Sequence, residues 1–392
     1  MLTSLRIKNF RTLENFEVAK LGRVNLIVGK NNSGKSSVLE ALHIYAGNAN
    51  LDLLEAIAAN HDEKYRLKES DRDEQDPSVP FEDFFTGRRY PSDENNAIEI
   101  GDPNTDELLR IEHGYFVEQE ESATEENGGE LTRIHRKRIS YKELLGVLGK
   151  LGSVGTITGQ ALYIQKGNRP AIRYRLDFNS SRIRTATYDT FASLPCSVIP
   201  TRLIPIDELA DEWDKIGLIV DARDILKQAV NTISPDFEDI QFIRSDDFSK
   251  QHREVKRTAK ARLSGVKRPV PLNSLGDGVL RVLQLVLKLF PAKGGFLLID
   301  EFENGLHYSV QEQVWKLVFH LAEKLNIQVF ATTHSWDCIE SFAKASSVQV
   351  GNEGMLFRMG KSIRNSDKGR IIATEFDREQ LFNITQSDVE VR

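Results

Sequence analysis

Val24-Asn25-Leu26-Ile27-Val28-Gly29-Lys30-Asn31-Asn32-Ser33-Gly34-Lys35-Ser36-Ser37 is the stretch that decides the fold. An apolar run reads as a strand, Gly29 and Gly34 frame a loop of the pattern G-x-x-x-x-G-K-[ST], and a helical pattern runs from Ser37 to Ala46. Strand, glycine loop and helix in that order make a phosphate-binding loop. The two glycines let the backbone curl so that successive N–H groups point at phosphates, and the helix N-terminus adds partial positive charge. Gly29, Asn32, Ser33, Gly34, Lys35, Ser36 and Ser37 are therefore the expected nucleotide-binding residues. Lys35 would reach the β- and γ-phosphates, and the Ser36 hydroxyl would ligate Mg²⁺. The expected ligand is a nucleoside triphosphate.

A second part of the site lies far downstream. Gly294-Gly295-Phe296-Leu297-Leu298-Ile299-Asp300-Glu301 reads as a turn and a buried strand ending in two carboxylates. A continuous apolar run suits a parallel strand covered on both faces, and carboxylates at its C-terminal end sit where ligands bind in open α/β sheets. Neighbouring residues at a strand end point in different directions, so the pair can divide the work. Asp300 would hold Mg²⁺ through its water shell, and Glu301 would polarise the attacking water as general base. A third strand, Ile327-Gln328-Val329-Phe330-Ala331, runs into Thr332-Thr333-His334-Ser335 and brings His334 to the same edge of the sheet. Between these segments, Asn273-Ser274-Leu275-Gly276-Asp277-Gly278 opens a helical run from Val279 to Phe290, with Ser274 placed to act as its N-cap.

Taken together, Gly29–Ser36, Ser274–Gly278, Leu297–Glu301, Glu303-Asn304-Gly305-Leu306-His307 and Thr332–Ser335 resemble the ABC-type AAA ATPases. More closely, they are similar to the branch that contains RecF, the SMC/Rad50 heads and the ATPase half of OLD-family proteins. Leu5-Arg6-Ile7-Lys8-Asn9-Phe10-Arg11 resembles the first strand of that branch. The resemblance covers residues 1–46 and 270–350 and, more weakly, Val198-Ile199-Pro200-Thr201-Arg202 with the helices after it. It implies an α/β fold: a P-loop NTPase with an ABC-type head, a mixed-sheet core, a β-rich first lobe and a helical signature lobe. ATP and Mg²⁺ are the implied cofactors. Ser274, Gly276 and Gly278 would form a signature motif that contacts the γ-phosphate on a second protomer, giving a homodimer closed around ATP. Glu303 and His307 lie in the family's E-x-x-L-H stretch, His334 matches the switch histidine, and Arg11 resembles a basic residue that senses the nucleotide. Phe302 stands where many relatives have proline, and Gln160 and Gln165 are both candidates for the Q-loop glutamine.

The expected organisation is an ATPase domain over residues 1–350 and a short extension at 351–392. Within the domain, core segments 1–46 and 270–350 enclose an insertion at 47–205 and a helical region at 206–269. In the insertion, the acidic stretch Asp62–Asp76 and the run Glu118–Glu130 with Gly128-Gly129 read as a solvated loop and a hairpin tip. The 392 residues leave room for a large core, and 40% hydrophobic with 28% charged residues suits a soluble protein. A net charge of −6 gives no global reason to expect nucleic acid. Two cysteines, Cys196 and Cys338, lack metal-ligand spacing and imply a reducing compartment. The apolar helix at Leu280–Phe290 is interrupted by Arg281, Gln284 and Lys288, so no membrane span is expected, and neither is a signal peptide. The implied location is cytoplasmic.

One stretch could touch DNA. Lys250–Arg268 holds Arg253, Lys256, Arg257, Lys260, Arg262, Lys267 and Arg268 against Glu254 alone, and Arg182 and Arg184 could extend it. An exposed strand or linker, lysine-rich to deter edge pairing, explains the same residues. Three functions stay open. The first is an ATP-hydrolysing switch that gates an effector protein in trans or DNA, in anti-phage defence or DNA maintenance. The second is a nucleotide-gated scaffold with little turnover. The third is a nuclease component, although Asp367, Glu375 and Asp377 are scattered acids and too few residues follow Ser335 for a Toprim domain.

Overall fold

A computed structural model describes residues 1–63, 80–91, 96–124, 130–140, 143–144, 157–176, 192–219, 221–245, 256–348, 354–367 and 369–386. In chain order the first elements are β1 Leu5–Phe10, β2 Leu13–Val18, β3 Val24–Val28, α1 Lys35–Ala46, α2 Leu51–Asn60, β4 Ile98–Gly101, β5 Leu109–Thr124, β6 Glu130–Ile139, β7 Ile157–Lys166, β8 Ile172–Arg175 and β9 Cys196–Ile199. There follow α3 Ile206–Ile216, α4 Ala222–Asn231, β10 Phe237–Ser245, β11 Lys256–Leu263, β12 Val270–Pro271, α5 Asp277–Leu289 and β13 Phe296–Ile299. The last are α6 Tyr308–Lys324, β14 Gln328–Thr333, α7 Trp336–Ser347, β15 Gly354–Lys361, β16 Ile371–Phe376 and α8 Arg378–Gln386.

The chain divides into two compact units. The first comprises Met1–Thr3, Val18–Leu39 and Leu194–Arg392. Its main sheet has the order β16-β15-β3-β14-β13-β9. Every pairing from β15 to β9 is parallel, and β16 adds an antiparallel edge. β3, β13 and β14 are buried at every position, which is why their sequences read as largely apolar runs rather than as alternation. Polar residues inside these strands are satisfied across long sequence gaps. Gln328 donates to Leu2 O and Gly22 O and accepts from Leu2 N–H, tying the chain's start to β14. Helix α5 is buried nearly all round, Arg281 and Gln284 included. A smaller antiparallel sheet, β10-β11-β12, lies in the same unit with α3 and α4.

The second unit comprises Ser4–Glu17 and Glu40–Ser193. It is built on a seven-stranded sheet of order β2-β1-β4-β5-β7-β8, with β6 paired to β5. Ser4 fastens β1 to the turn after β4, its N–H and hydroxyl donating to the Asp102 carboxylate at 3.1 and 2.7 Å. Phe10, Phe81, Phe84 and Phe85 are buried in this unit.

Pairing distributes the chain differently from the boundaries read in the sequence. β1 and β2 join the sheet of the supposed insertion, whereas β9, placed inside that insertion, pairs with β13. The region 206–269 is not purely helical, because it holds β10 and β11. There the basic stretch is a half-buried strand: Ala259 and Ala261 face the core, while Lys260 and Arg262 alternate outward. Nor are residues 351–392 a mere extension. β15 pairs with β3 in parallel, with Arg358 opposite Val28, and its Met355, Leu356, Phe357 and Met359 are buried. β7 is followed by Gly167, whose φ of +59° and close approach to the Asp106 backbone suit glycine alone. Residues 64–76 of the acidic stretch, 125–129 of the hairpin tip, Arg182, Arg184 and residues 250–255 of the basic stretch lie outside the described residues.

Candidate nucleotide site

Three loops of the first unit leave the C-terminal ends of neighbouring strands. Gly29–Gly34 follows β3, Asp300–His307 follows β13, and His334-Ser335 follows β14, which stands between the other two strands. Gly29, Lys30 and Asn31 line a cavity of about 460 Å³ together with Val28, Thr333, His334 and Ile339. Asn32 and Gly34 have φ of +61° and +90°. Gly29 is needed for space as well, since a Cβ there would stand 2.7 Å from both Met359 O and Ser33 Oγ. The Lys35 ammonium curls back over the loop, donating to Gly29 O at 2.8 Å and Lys30 O at 3.1 Å. Burial lowers its pKa, and Asp300, Glu301 and Glu303 oppose that shift. Ser36 and Ser37 open the first turn of α1.

The carboxylates are held by groups from across the sheet. Asp300 Oδ1 accepts from the Thr332 hydroxyl at 2.7 Å, and Oδ2 accepts from the Thr201 hydroxyl at 3.0 Å. Glu301 sits in the left-handed region at φ +48°, a strained backbone for a non-glycine residue. Its N–H donates to Thr332 Oγ1 at 2.9 Å. Phe302 N–H donates to Thr332 O at 3.0 Å, and its ring stacks on Trp315 of α6 at 3.6 Å and 10°. Arg281 braces the turn from α5, donating to Pro200 O at 2.7 Å and to Asp300 O and Glu301 O at 2.8 Å each. Burial brings the pKa of Arg281 down to about 10, so it remains a cation at neutral pH. His334 Nδ1 lies 3.6 Å from Glu301 Oε1 and 3.2 Å from Glu303 Oε1.

The signature segment begins differently from expectation. Ser274 does not cap α5; its hydroxyl donates to Pro271 O at 2.6 Å within a 3₁₀ turn over Leu272–Leu275. Gly276 is the N-cap, with φ +88°, and α5 starts without a side-chain cap hydrogen bond. Gly278 packs against the loop after β13, where a Cβ would lie 3.2 Å from Gly305 O. His307 caps α6, accepting from Ser309 N–H. Arg11 belongs to the second unit, where its guanidinium pairs with Glu40 at 2.8 Å and Glu63 at 3.0 Å. Gln160 and Gln165 both lie in β7 of that unit, and Gln160 bonds His113 at 3.2 Å. Thr201, Thr332 and Arg281 escaped the site prediction. Thr201 and Thr332 stood inside quoted motifs, and Arg281 was visible only as a charge breaking an apolar helix.

These residues suit a nucleoside triphosphate with Mg²⁺. The Ser33 hydroxyl is buried in the loop with no hydrogen-bond partner among the described residues, and a phosphate oxygen would serve as its acceptor. Each Asp300 oxygen accepts one hydroxyl and keeps a further lone pair, so the carboxylate can still offer a hard oxygen to a hard cation. Residues 1–145 match the family described as "AAA ATPase domain". Residues 164–337 match the family described as "AAA domain, putative AbiEii toxin, Type IV TA system". The chain carries an AAA-type ATPase domain. This ATPase is 23% identical over 353 residues to an "ATP/GTP phosphatase" of Helicobacter pylori, covering 87% of each chain. It is 33% identical over 91 residues to "Uncharacterized protein MJECL11" of Methanocaldococcus jannaschii, covering 23% of this chain and 79% of that protein. Solved structures similar to the ATPase include the SMC head domain from Thermotoga maritima (TM-score 0.40, 13% identity, 96% of this chain and 99% of that one). Another is an SMC head bound to the C-winged helix domain of ScpA (TM-score 0.45, 14% identity, 98% and 99%).

Proposed function

We propose that this ATPase is a molecular switch that closes as a homodimer around ATP and opens on hydrolysis, gating an effector protein in trans or DNA. Lys35 and the loop N–H groups bind the phosphates, Ser36 and Asp300 hold Mg²⁺, and Glu301 draws the proton from the attacking water. His334 faces the γ-phosphate from the neighbouring strand. The observation that carries the dimer is the exposure of the signature loop. Asn273, Ser274, Gly276 and Asp277 are exposed although they open a helix that is buried nearly all round. A Cβ on Gly276 would meet nothing within 4 Å among the described residues. A loop of this conformation, open to another molecule, suits contact with a γ-phosphate held by a second copy. Loss of that phosphate removes contacts made only in the closed state, which makes hydrolysis the opening step.

The family description over residues 164–337 names a toxin of a type IV toxin–antitoxin system, which favours a role in defence over general DNA maintenance. For DNA, Lys260, Arg262, Lys267 and Arg268 are exposed, whereas Arg257 is already paired with Asp211 and Asp214. Among the described residues no helix is long and apolar enough to cross a membrane. The test is Glu301→Gln, which should slow hydrolysis by about 10²–10⁴-fold with ATP binding retained. In analytical ultracentrifugation it should be a dimer with ATP and Mg²⁺ and a monomer without. A variant that stays monomeric with ATP saturated removes the dimer, and unchanged turnover removes Glu301 as the base.

A further inference from the structure

Glu303 is a third carboxylate on the loop after β13, two residues beyond Glu301. Its side chain is 12% exposed, against 35% for Glu301. Oε1 accepts from the backbone N–H of His334 at 3.1 Å and lies 3.2 Å from Nδ1 of the same residue. Oε2 is buried and has no hydrogen-bond partner among the described residues. Glu301 Oε1 stands 3.6 Å from that same Nδ1. Two carboxylates thus face one ring nitrogen, and only Glu303 is within hydrogen-bond distance.

We propose that Glu303 is a positioning residue for hydrolysis: it takes the Nδ1–H of His334, fixes the ring, and so keeps Glu301 free to act on water. This rests on the roles given above to His334 and Glu301. An ionised carboxylate only accepts hydrogen bonds, so the nitrogen facing it carries the proton. Glu303 is the more buried of the two carboxylates, and burying charge without donors is costly, so its nearer Oε1 has the stronger demand for the ring N–H. With Nδ1 committed, Nε2 lies on the other edge of the ring, and His334 lines the cavity beside Gly29, Lys30 and Asn31. Without Glu303, Glu301 is the carboxylate left beside Nδ1. A shift of well under an ångström would bring it into a hydrogen bond, and a base already engaged with His334 draws less on water.

The test compares wild type, Glu303→Ala and Glu303→Gln, each with ¹⁵N-labelled histidine, alongside kcat and the Kd for ATP. The His334 signal is assigned by its loss in His334→Gln. Wild type should show the Nδ1–H tautomer, and Glu303→Ala a mixture. Glu303→Gln should restore the tautomer, because its amide oxygen accepts from the same two N–H groups. Displacing the site in this way should lower kcat about 10–100-fold in Glu303→Ala with Kd held, and Glu303→Gln should recover most of that loss. In a Glu301→Gln background, Glu303→Ala should change kcat no further. A wild-type His334 protonated on Nε2, or a tautomer unchanged in Glu303→Ala, overturns the proposal. If Glu303→Ala does not fold, the tautomer in wild type and Glu303→Gln decides by the same criterion. Failure of the underlying roles looks different: His334→Ala with wild-type kcat withdraws His334 from turnover, whatever its tautomer.

Discussion

Replacing Phe302 by alanine should loosen the turn that holds Glu301. The Phe302 ring has no exposed surface, lies 3.6 Å from the ring of Trp315 and is nearly parallel to it. Trp315 is itself fully buried and meets Phe342 edge-on at 5.0 Å. Truncating a buried phenylalanine to alanine costs about 3–5 kcal/mol, transfer and cavity terms together. For a domain of roughly 150–250 residues, that corresponds to a fall in Tm of about 6–20 °C. Phe302→Leu refills most of the volume and should cost less than about half as much. The Phe302 N–H keeps its bond to Thr332 O in both variants, so the backbone anchor survives and the side-chain contribution is isolated. Thermal unfolding and ATP turnover on the same preparations give the two readouts. Tm and kcat should fall in the order wild type, leucine, alanine, while Kd for ATP holds, because the glycine loop lies on another strand. A Tm within about 2 °C of wild type for Phe302→Ala refutes the packing argument. A large Tm loss with unchanged kcat would make Phe302 a core filler with no bearing on the Glu301 turn.

Three further outcomes are expected. Arg281→Lys keeps a cation, but one ammonium cannot serve the three carbonyls that the guanidinium fork spans, so kcat should fall about 10-fold or more with ATP affinity unchanged; equal kcat would count against the brace. Thr201→Val removes the donor to Asp300 Oδ2, and a Mg²⁺ titration of turnover should show its half-maximal concentration rising about 10-fold; an unchanged titration would separate Thr201 from the metal. His61 has a pKa raised chiefly by its hydrogen bond to Glu40, against the opposing effect of burial. A histidine with a raised folded-state pKa stabilises fully below its unfolded value of about 6.5 and loses that contribution as pH climbs through the folded value. His61→Gln should therefore be less stable than wild type in denaturant melts below pH 6.5, with the gap closing as pH rises above it. A gap that widens with pH reverses the sign and refutes the pairing.

The place of many candidate site residues at strand ends was legible because its signals are local. A strand, a glycine loop and a helix follow one another from Val24 to Ala46, so each residue's role depends on near neighbours. The same holds for Asp300 at the end of β13 and for Thr332–His334 at the end of β14. Backbone conformation was less legible. Ser274 has the chemistry of a cap, yet the left-handed Gly276 supplies the helix start, and nothing in the local pattern distinguishes the two.

The amino-acid sequence by itself determined that a glycine loop, a carboxylate pair and a histidine would stand at strand ends, because apolar runs of that length bury themselves as parallel strands. Only the tertiary structure decided which residues support them. Thr201 reaches Asp300 across 99 residues, Arg281 reaches Glu301 across 20, and β15 joins β3 across more than 300. Strand order and helix packing choose such neighbours from many chemically equivalent candidates. A threonine, an arginine or an apolar run shows in sequence what it can bond to, but its partner is settled when folding brings distant chain segments within a few ångströms.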